Sequence, residues 1–229
     1  MTAEAQAAET ATPPITAQAE AARYALLRRL APSMRHHLVV NLQPIGMIYE
    51  VMDRRLKAAQ PQLAEVHESA QKINGFARAA LDSCLDVITW LSPEEQRLTT
   101  ASEGVRECLG LLTTSLSFRG YSVRNEVPAL QGLVRRAAIR SALTAALIQA
   151  TDHGTAPADL VLSAQADADR VLITLTLRPT EGEGSFGGET SYRRLAWEDV
   201  QAIAESESVK AERDGKLQVR LAIPLAPAA

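Results

Sequence analysis

The segment LAEVHESAQKINGFARAALDSCLDVITWL, residues 63–91, determines the architecture that we predict for this chain. Its apolar and small side chains recur at alternating steps of three and four residues: Leu63, Val66, Ala70, Ile73, Ala77, Ala80, Cys84, Val87 and Leu91. This spacing places them on one seam of an α-helix and is typical of knobs-into-holes packing between helices. We therefore expect a long helix that packs lengthwise against a second one.

The second helix is predicted on the N-terminal side, over residues 21–59. Its apolar side chains form a stripe with the same spacing: Leu26, Leu30, Met34, Leu38, Leu42, Ile45, Tyr49, Met52 and Leu56. Pro44 lies inside this run and should kink or loosen one turn, because proline removes a backbone donor. A short turn at residues 58–61 then gives an antiparallel hairpin. A lone hairpin leaves half of each stripe exposed, so we expect a homodimer with a four-helix bundle.

Residues 1–20 differ from the segments that follow, because they are mainly Ala, Thr, Glu and Gln with almost no large apolar side chain. Such a segment cannot offset the entropy lost on ordering, and we predict a flexible tail. The predicted organisation is a tail over 1–20, a helical hairpin over 21–96 and a second domain over 97–229.

The second domain mixes helical and strand patterns. Helices are predicted over residues 100–117, 133–152 and 197–206. Strands are predicted over 121–127, 160–165 and 171–178, and as a hairpin from about residue 209 to residue 225 around Asp214-Gly215. Helices on one face of a largely antiparallel sheet make this half α+β.

Composition excludes several classes of protein. The 229 residues carry 24 Lys+Arg against 27 Asp+Glu, a net charge of −3, which argues against a protein that mainly grips a nucleic-acid backbone. No run approaches the roughly 18 apolar residues of a membrane span. The cysteines Cys84 and Cys108 cannot form a disulfide framework or a zinc site. We expect a cytoplasmic, metal-free protein without nucleic-acid or membrane partners.

Titratable side chains interrupt the apolar stripe of the first helix in the segment RHHLVVNL, residues 35–42. At about 100° per residue, His36 lies about 200° from Leu38 and faces solvent, whereas His37 lies on the flank. An exposed imidazole has a nucleophilic nitrogen that can carry a phosphoryl group. The alternative is two ordinary surface histidines.

Three arginines lie close to these histidines in the sequence: Arg28, Arg29 and Arg35. Their charge favours phosphate and an acidic partner. A solvated face of the helix is the alternative reading.

The pattern His36-x-Leu38-x-x-Asn41-Leu42 resembles the H-box of sensor histidine kinases, which also lies in the first helix of a dimerising hairpin. The resemblance implies that His36 is the phospho-acceptor, with His37 as runner-up or assisting residue and Asn41 close to the phosphate or the docked partner. Two positions depart from the family pattern. His37 replaces the usual acidic residue after the histidine, and Val40 replaces the Thr or Asn that supports phosphatase activity.

The second domain is similar in element order to the α/β sandwich that binds ATP in histidine kinases. The helix LTAALIQATDH, residues 143–153, carries Gln149 where the family has an Asn ligand for magnesium. In the loop RPTEGEG, residues 178–184, Thr180 replaces the Asp that reads adenine, although Gly182 and Gly184 remain. The resemblance therefore implies a vestigial nucleotide site, with no bound ATP and with magnesium supplied by the receiver partner.

These features together resemble dimeric histidine phosphotransferases built as degenerate histidine kinases. Such a protein carries a phosphoryl group between the aspartates of response-regulator receiver domains. Two alternatives stay open: a divergent ATP-dependent histidine autokinase, and a non-catalytic pseudokinase scaffold that binds a response regulator.

Overall fold

The computed structural model describes residues 15–92, 94, 96–182 and 192–227, which divide into two compact units. A hairpin unit begins at Leu27 and ends before Gln96. An α/β unit joins the described residues through Leu26 to those from Gln96 onward.

Two long helices make the hairpin: α1 (Ala17–Leu56), which begins in the α/β unit, and α2 (Leu63–Leu91). Side-chain hydrogen bonds connect the two helices in the hairpin unit, and two of them show the relative direction of the helices. The Asn41 amide contacts the Ser83 hydroxyl at 2.9 Å, and the Arg55 guanidinium contacts the Ser69 hydroxyl at 3.3 Å. The later residue of α1, Arg55, contacts the earlier residue of α2, Ser69, so the two helices run antiparallel, as predicted.

The least exposed face of α2 shares only every second residue with the predicted seam, namely Val66, Ile73, Ala80 and Val87. One set of buried and half-buried residues also follows heptad spacing: Val66, Ser69, Ile73, Phe76, Ala80, Ser83, Val87 and Trp90. Cys84 of the predicted seam is half-buried as well, beside this face. By contrast, Leu63 and Leu91 are 76% and 56% exposed. The serines belong to this face because their hydroxyls bond α1, a pairing that hydrophobic periodicity does not detect.

The α/β unit contains four helices or helical segments and seven strands among the described residues. In chain order after α1 these are β1 (Leu98–Thr99), α3 (Ala101–Phe118), β2 (Tyr121–Asn125), β3 (Val134–Arg135), α4 (Arg136–His153), β4 (Ala158–Asp167), β5 (Arg170–Pro179), α5 (Trp197–Ser206), β6 (Lys210–Asp214) and β7 (Gln218–Pro224). The main sheet has the strand order β2-β4-β5-β7-β6, and all its pairs are antiparallel except β2 with β4. Strands β1 and β3 form a separate antiparallel pair. The predicted α+β class is confirmed.

The core lies between this sheet and its helices. Alternate residues of β5 are buried, namely Val171, Ile173, Leu175 and Leu177, which is the pattern of a strand with one face in the core. Helix α4 packs between α3 and α5 and is buried on nearly all sides. No described helix combines the length with the apolar character that a bilayer crossing needs.

The start of α1 differs from the predicted tail over residues 1–20. The helix already begins at Ala17, and Ala19 and Ala22 are buried. The Arg23 guanidinium lies 2.6 Å from the buried carboxylate of Glu207. Small alanine side chains allow close packing here. The helix therefore begins before residue 21, although the low hydrophobicity of this segment predicted a flexible tail.

Candidate functional site

His36 and His37 lie in α1 within the hairpin unit. His36 is exposed, His37 is half-buried, and their ring centroids are 6.4 Å apart. This is the orientation that helical geometry predicted. The His36 ring is accessible to a protein partner on a helix longer than ten turns.

A bridge through Asn41 fixes the turn that carries the histidines. The Asn41 amide nitrogen lies 3.2 Å from the backbone oxygen of His37 and 2.9 Å from the Ser83 hydroxyl oxygen. That hydroxyl in turn donates to the backbone oxygen of Ala79 at 2.9 Å. Asn41 therefore ties the histidine turn to α2. Sequence analysis missed Ser83, because nothing in its local sequence marks it as a partner of a residue 42 positions away.

The three predicted arginines precede His36 on the same helix, where Arg28 and Arg35 are exposed and Arg29 is half-buried. Seven residues separate Arg29 from His36, so both lie on nearly the same helix face, about 10 Å apart along the axis. Of the three arginines, Arg29 is therefore the one on the His36 face of α1, on the N-terminal side of the imidazole.

Exposed apolar side chains follow His36 on the C-terminal side. Val39, Val40 and Leu42 are 45%, 51% and 51% exposed. Val39 and Val40 lie within about 60° of His36 around the helix axis, whereas Leu42 lies about 120° away, so the surface beside the imidazole is partly apolar. In the part of the chain that the structure describes, His, Cys, Asp and Glu form no cluster of three that could hold a metal ion.

The predicted vestigial nucleotide residues lie in the α/β unit. Gln149 is buried in α4, with 3% of its surface exposed. Thr180 follows β5, and its backbone nitrogen donates to the Pro157 oxygen at 3.1 Å. A side chain at Gly182 would also meet Pro157. Gly184 lies outside the described residues.

Thr180 lines a cavity of about 480 Å³, together with Ser117, Tyr121 and Asp159. Gln149 is not part of this lining. The structure therefore brings Thr180 and Gly182 together beside Pro157 but does not place Gln149 at the same cavity.

Polar contacts fix the C-terminal end of α4. The Asp152 carboxylate, buried in the protein, pairs with Arg119 at 3.0 Å and accepts a hydrogen bond from the Leu195 backbone nitrogen at 3.2 Å. The His153 ring nitrogen lies 2.9 Å from the Leu195 oxygen. The segment that leads into α5 is thus held against α4.

Carboxylates occupy the N-terminus of α5. Asp199 accepts hydrogen bonds from the Ala196 backbone nitrogen at 2.8 Å and from Arg193 at 2.6 Å and 3.0 Å. Burial raises the pKa of Asp199, but the hydrogen bonds from Arg193 and Ala196 and the Arg193 charge outweigh it, so the pKa lies below its usual range. Glu198 adds a second acidic group in the same turn. A helix N-terminus ordinarily attracts anions through its free backbone N–H groups. Here Asp199 already accepts one of these hydrogen bonds, and the negative charges of Asp199 and Glu198 repel a further anion.

Sequence analysis did not single out Asp199. Asp199 lies three residues after the helix boundary at Ala196, which is the spacing of a capping carboxylate, but alanine at the cap position gives no capping signal in the sequence.

No family model matches this sequence, and no curated protein matches it. Among solved structures, a histidine kinase from Burkholderia phymatum STM815 is similar to this chain, with 15% identity and a TM-score of 0.45. The match covers 93% of this chain and 100% of that one. Acinetobacter baumannii histidine kinase AdeS is similar to 80% of this chain over 98% of its own, with 11% identity and a TM-score of 0.43. Mycobacterial sensor histidine kinase MprB is similar to 58% of this chain over 99% of its own, with 11% identity and a TM-score of 0.40.

Proposed function

We propose that the chain is a dimeric histidine phosphotransfer protein of a two-component phosphorelay. His36 accepts a phosphoryl group from the aspartyl phosphate of one receiver domain and passes it to the aspartate of another. The observation that carries this proposal is an exposed imidazole on a helix turn anchored by Asn41, with Arg29 on the same face.

The transfer needs little covalent machinery from the protein. An unprotonated ring nitrogen of His36 attacks phosphorus, a P–N bond forms, and the P–O bond to the partner's aspartate breaks. The aspartate leaves as a carboxylate with the electron pair, and the imidazole loses its N–H proton to solvent. Return transfer reverses these steps. Positioning and charge stabilisation dominate such reactions, and we assign the magnesium ion to the receiver partner.

Three features support a chain that does not use ATP. Gln149 is buried, Thr180 stands where the family has an adenine-reading carboxylate, and Asp199 caps the helix terminus that would attract phosphate. Loss of a metal ligand and a base anchor together removes interactions worth roughly 1–3 kcal/mol each. Millimolar binding corresponds to only about −4 kcal/mol, so these losses are enough to abolish useful occupancy.

The exposed half of the α1 stripe supports dimerisation. Leu42, Tyr49 and Leu56 recur every seven residues and are 51%, 56% and 46% exposed. Heptad-spaced apolar side chains in water are the pattern of a helix that has a second helical partner. A second copy of the hairpin would cover them in a four-helix bundle.

A labelling experiment separates this proposal from its alternatives. The full chain is incubated with radiolabelled ATP and magnesium, and separately with receiver domains of the source genome that carry labelled aspartyl phosphate. We expect label from a receiver domain and none from ATP. Label from ATP would instead establish an autokinase. No label from either donor, with receiver binding unchanged in His36→Ala, would establish a scaffold.

A further inference from the structure

Two serines of α2 make the same kind of contact with α1. Each hydroxyl donates to the backbone oxygen four residues earlier, Ser69 to Glu65 and Ser83 to Ala79, both at 2.9 Å. With its single proton used, each hydroxyl can only accept from α1. Ser69 accepts from Arg55, and Ser83 accepts from Asn41.

The two contacts differ in what they hold on α1. The Asn41 amide has two N–H groups, and they account for its contacts with the His37 oxygen and the Ser83 hydroxyl. Ser69, which contacts Arg55, lies 14 residues before Ser83 on α2, or about 21 Å along the axis, and touches no part of the histidine turn.

The position of Asn41 on the helix determines where the two imidazoles point. His37 lies about 40° from Asn41 around the axis and His36 about 140° away. When Asn41 is held against α2, His37 stays on the flank and His36 points outward, in agreement with their half-buried and exposed positions.

We propose that Ser83 is a positioning residue for phosphoryl transfer at His36. By accepting from Asn41, Ser83 fixes the rotation of the histidine turn relative to a receiver domain docked on the hairpin. This inference rests on the proposed function. Small misplacements of a reacting group cost large factors in rate, so loss of this single hydroxyl should slow transfer.

The test compares Ser83→Ala with Ser69→Ala, which removes the same kind of contact at the other end of the hairpin. The donor is the labelled receiver domain that reacts fastest with the wild-type chain. At saturating receiver we expect Ser83→Ala to lower the transfer rate constant about tenfold, with the receiver KM unchanged, and Ser69→Ala to leave both within about twofold. Ser83→Thr keeps the hydroxyl and should restore most of the rate.

A small phosphoryl donor distinguishes a positioning role of Ser83 from a purely structural one. Phosphoramidate transfers its phosphoryl group to the imidazole nitrogen, and ammonia leaves with the P–N electron pair. Since no docked partner is involved, Ser83→Ala should react with it within about twofold of wild-type. Equal losses in Ser83→Ala and Ser69→Ala, or equal losses with both donors, would overturn the positioning role alone. A wild-type chain that no receiver domain labels would overturn the proposed function, and this inference with it.

Discussion

The Asp199 carboxylate lies 2.6 Å from the Arg193 guanidinium and 2.8 Å from the backbone nitrogen of Ala196. One side chain therefore caps α5 and holds the segment that enters it. Asp199→Asn removes the charge and keeps the shape. We expect it to lower the free energy of unfolding by about 1 kcal/mol at neutral pH, because hydrogen bonds to a charged acceptor contribute more than those to a neutral one.

The pH dependence of this effect has a definite sign. Because the folded-state pKa of Asp199 is lowered, its stabilisation is fully present above the unfolded pKa of about 3.9 and is lost as pH falls through the folded pKa. Urea unfolding at several pH values should show the wild-type and Asp199→Asn converging below about pH 4. Asp169→Asn, at an 83% exposed side chain, is the control and should change little. A difference that persists undiminished in acid would contradict this account.

Two glycines of α3 test the packing of the α/β unit. A Cβ added at Gly104 would lie 2.6 Å from Cγ2 of Ile139, which is fully buried, whereas Gly110 has open space around it. Gly104→Ala should therefore lower the free energy of unfolding by about 1–3 kcal/mol through overpacking. Gly110→Ala should raise it by about 0.5–1 kcal/mol, because alanine favours the helix. Thermal unfolding that moved both variants in the same direction would argue against the α3–α4 contact.

The proposed dimer depends on the exposed half of the α1 stripe. Tyr49→Asp places a charge in the middle of that stripe and should weaken self-association by about 2 kcal/mol or more. Sedimentation at micromolar concentration measures this as a shift from dimer to monomer. Leu217→Asp changes a 50% exposed leucine of the α/β unit and should leave the mass unchanged. A monomeric wild-type chain would refute the dimer.

Most of the fold follows from periodicity in the sequence. The spacing of large apolar residues predicted both long helices, and α5 was predicted with the bounds that the structure has. Strands β1 and β3 were missed because two residues carry no period. Residues 17–20 were assigned to the tail because alanine contributes little hydrophobicity even where it packs closely.

The site was less accessible from the sequence. Helical angles placed His36 in solvent, because this orientation depends only on local geometry. The partnership of Asn41 with Ser83 depends on the register between two helices, which no local pattern encodes. The burial of Gln149 also escaped prediction, because α4 is rich in Ala and Leu on every side and its exposed face cannot be identified from the pattern.

The most direct test of the account is the identity of the histidine that becomes phosphorylated. Wild-type, His36→Ala and His37→Ala chains are incubated with the same labelled receiver domain, and acid-labile, alkali-stable label on the chain is measured over time. The account predicts no label on His36→Ala and label on His37→Ala. Label that persists on His36→Ala and disappears from His37→Ala would contradict His36 as the phospho-acceptor.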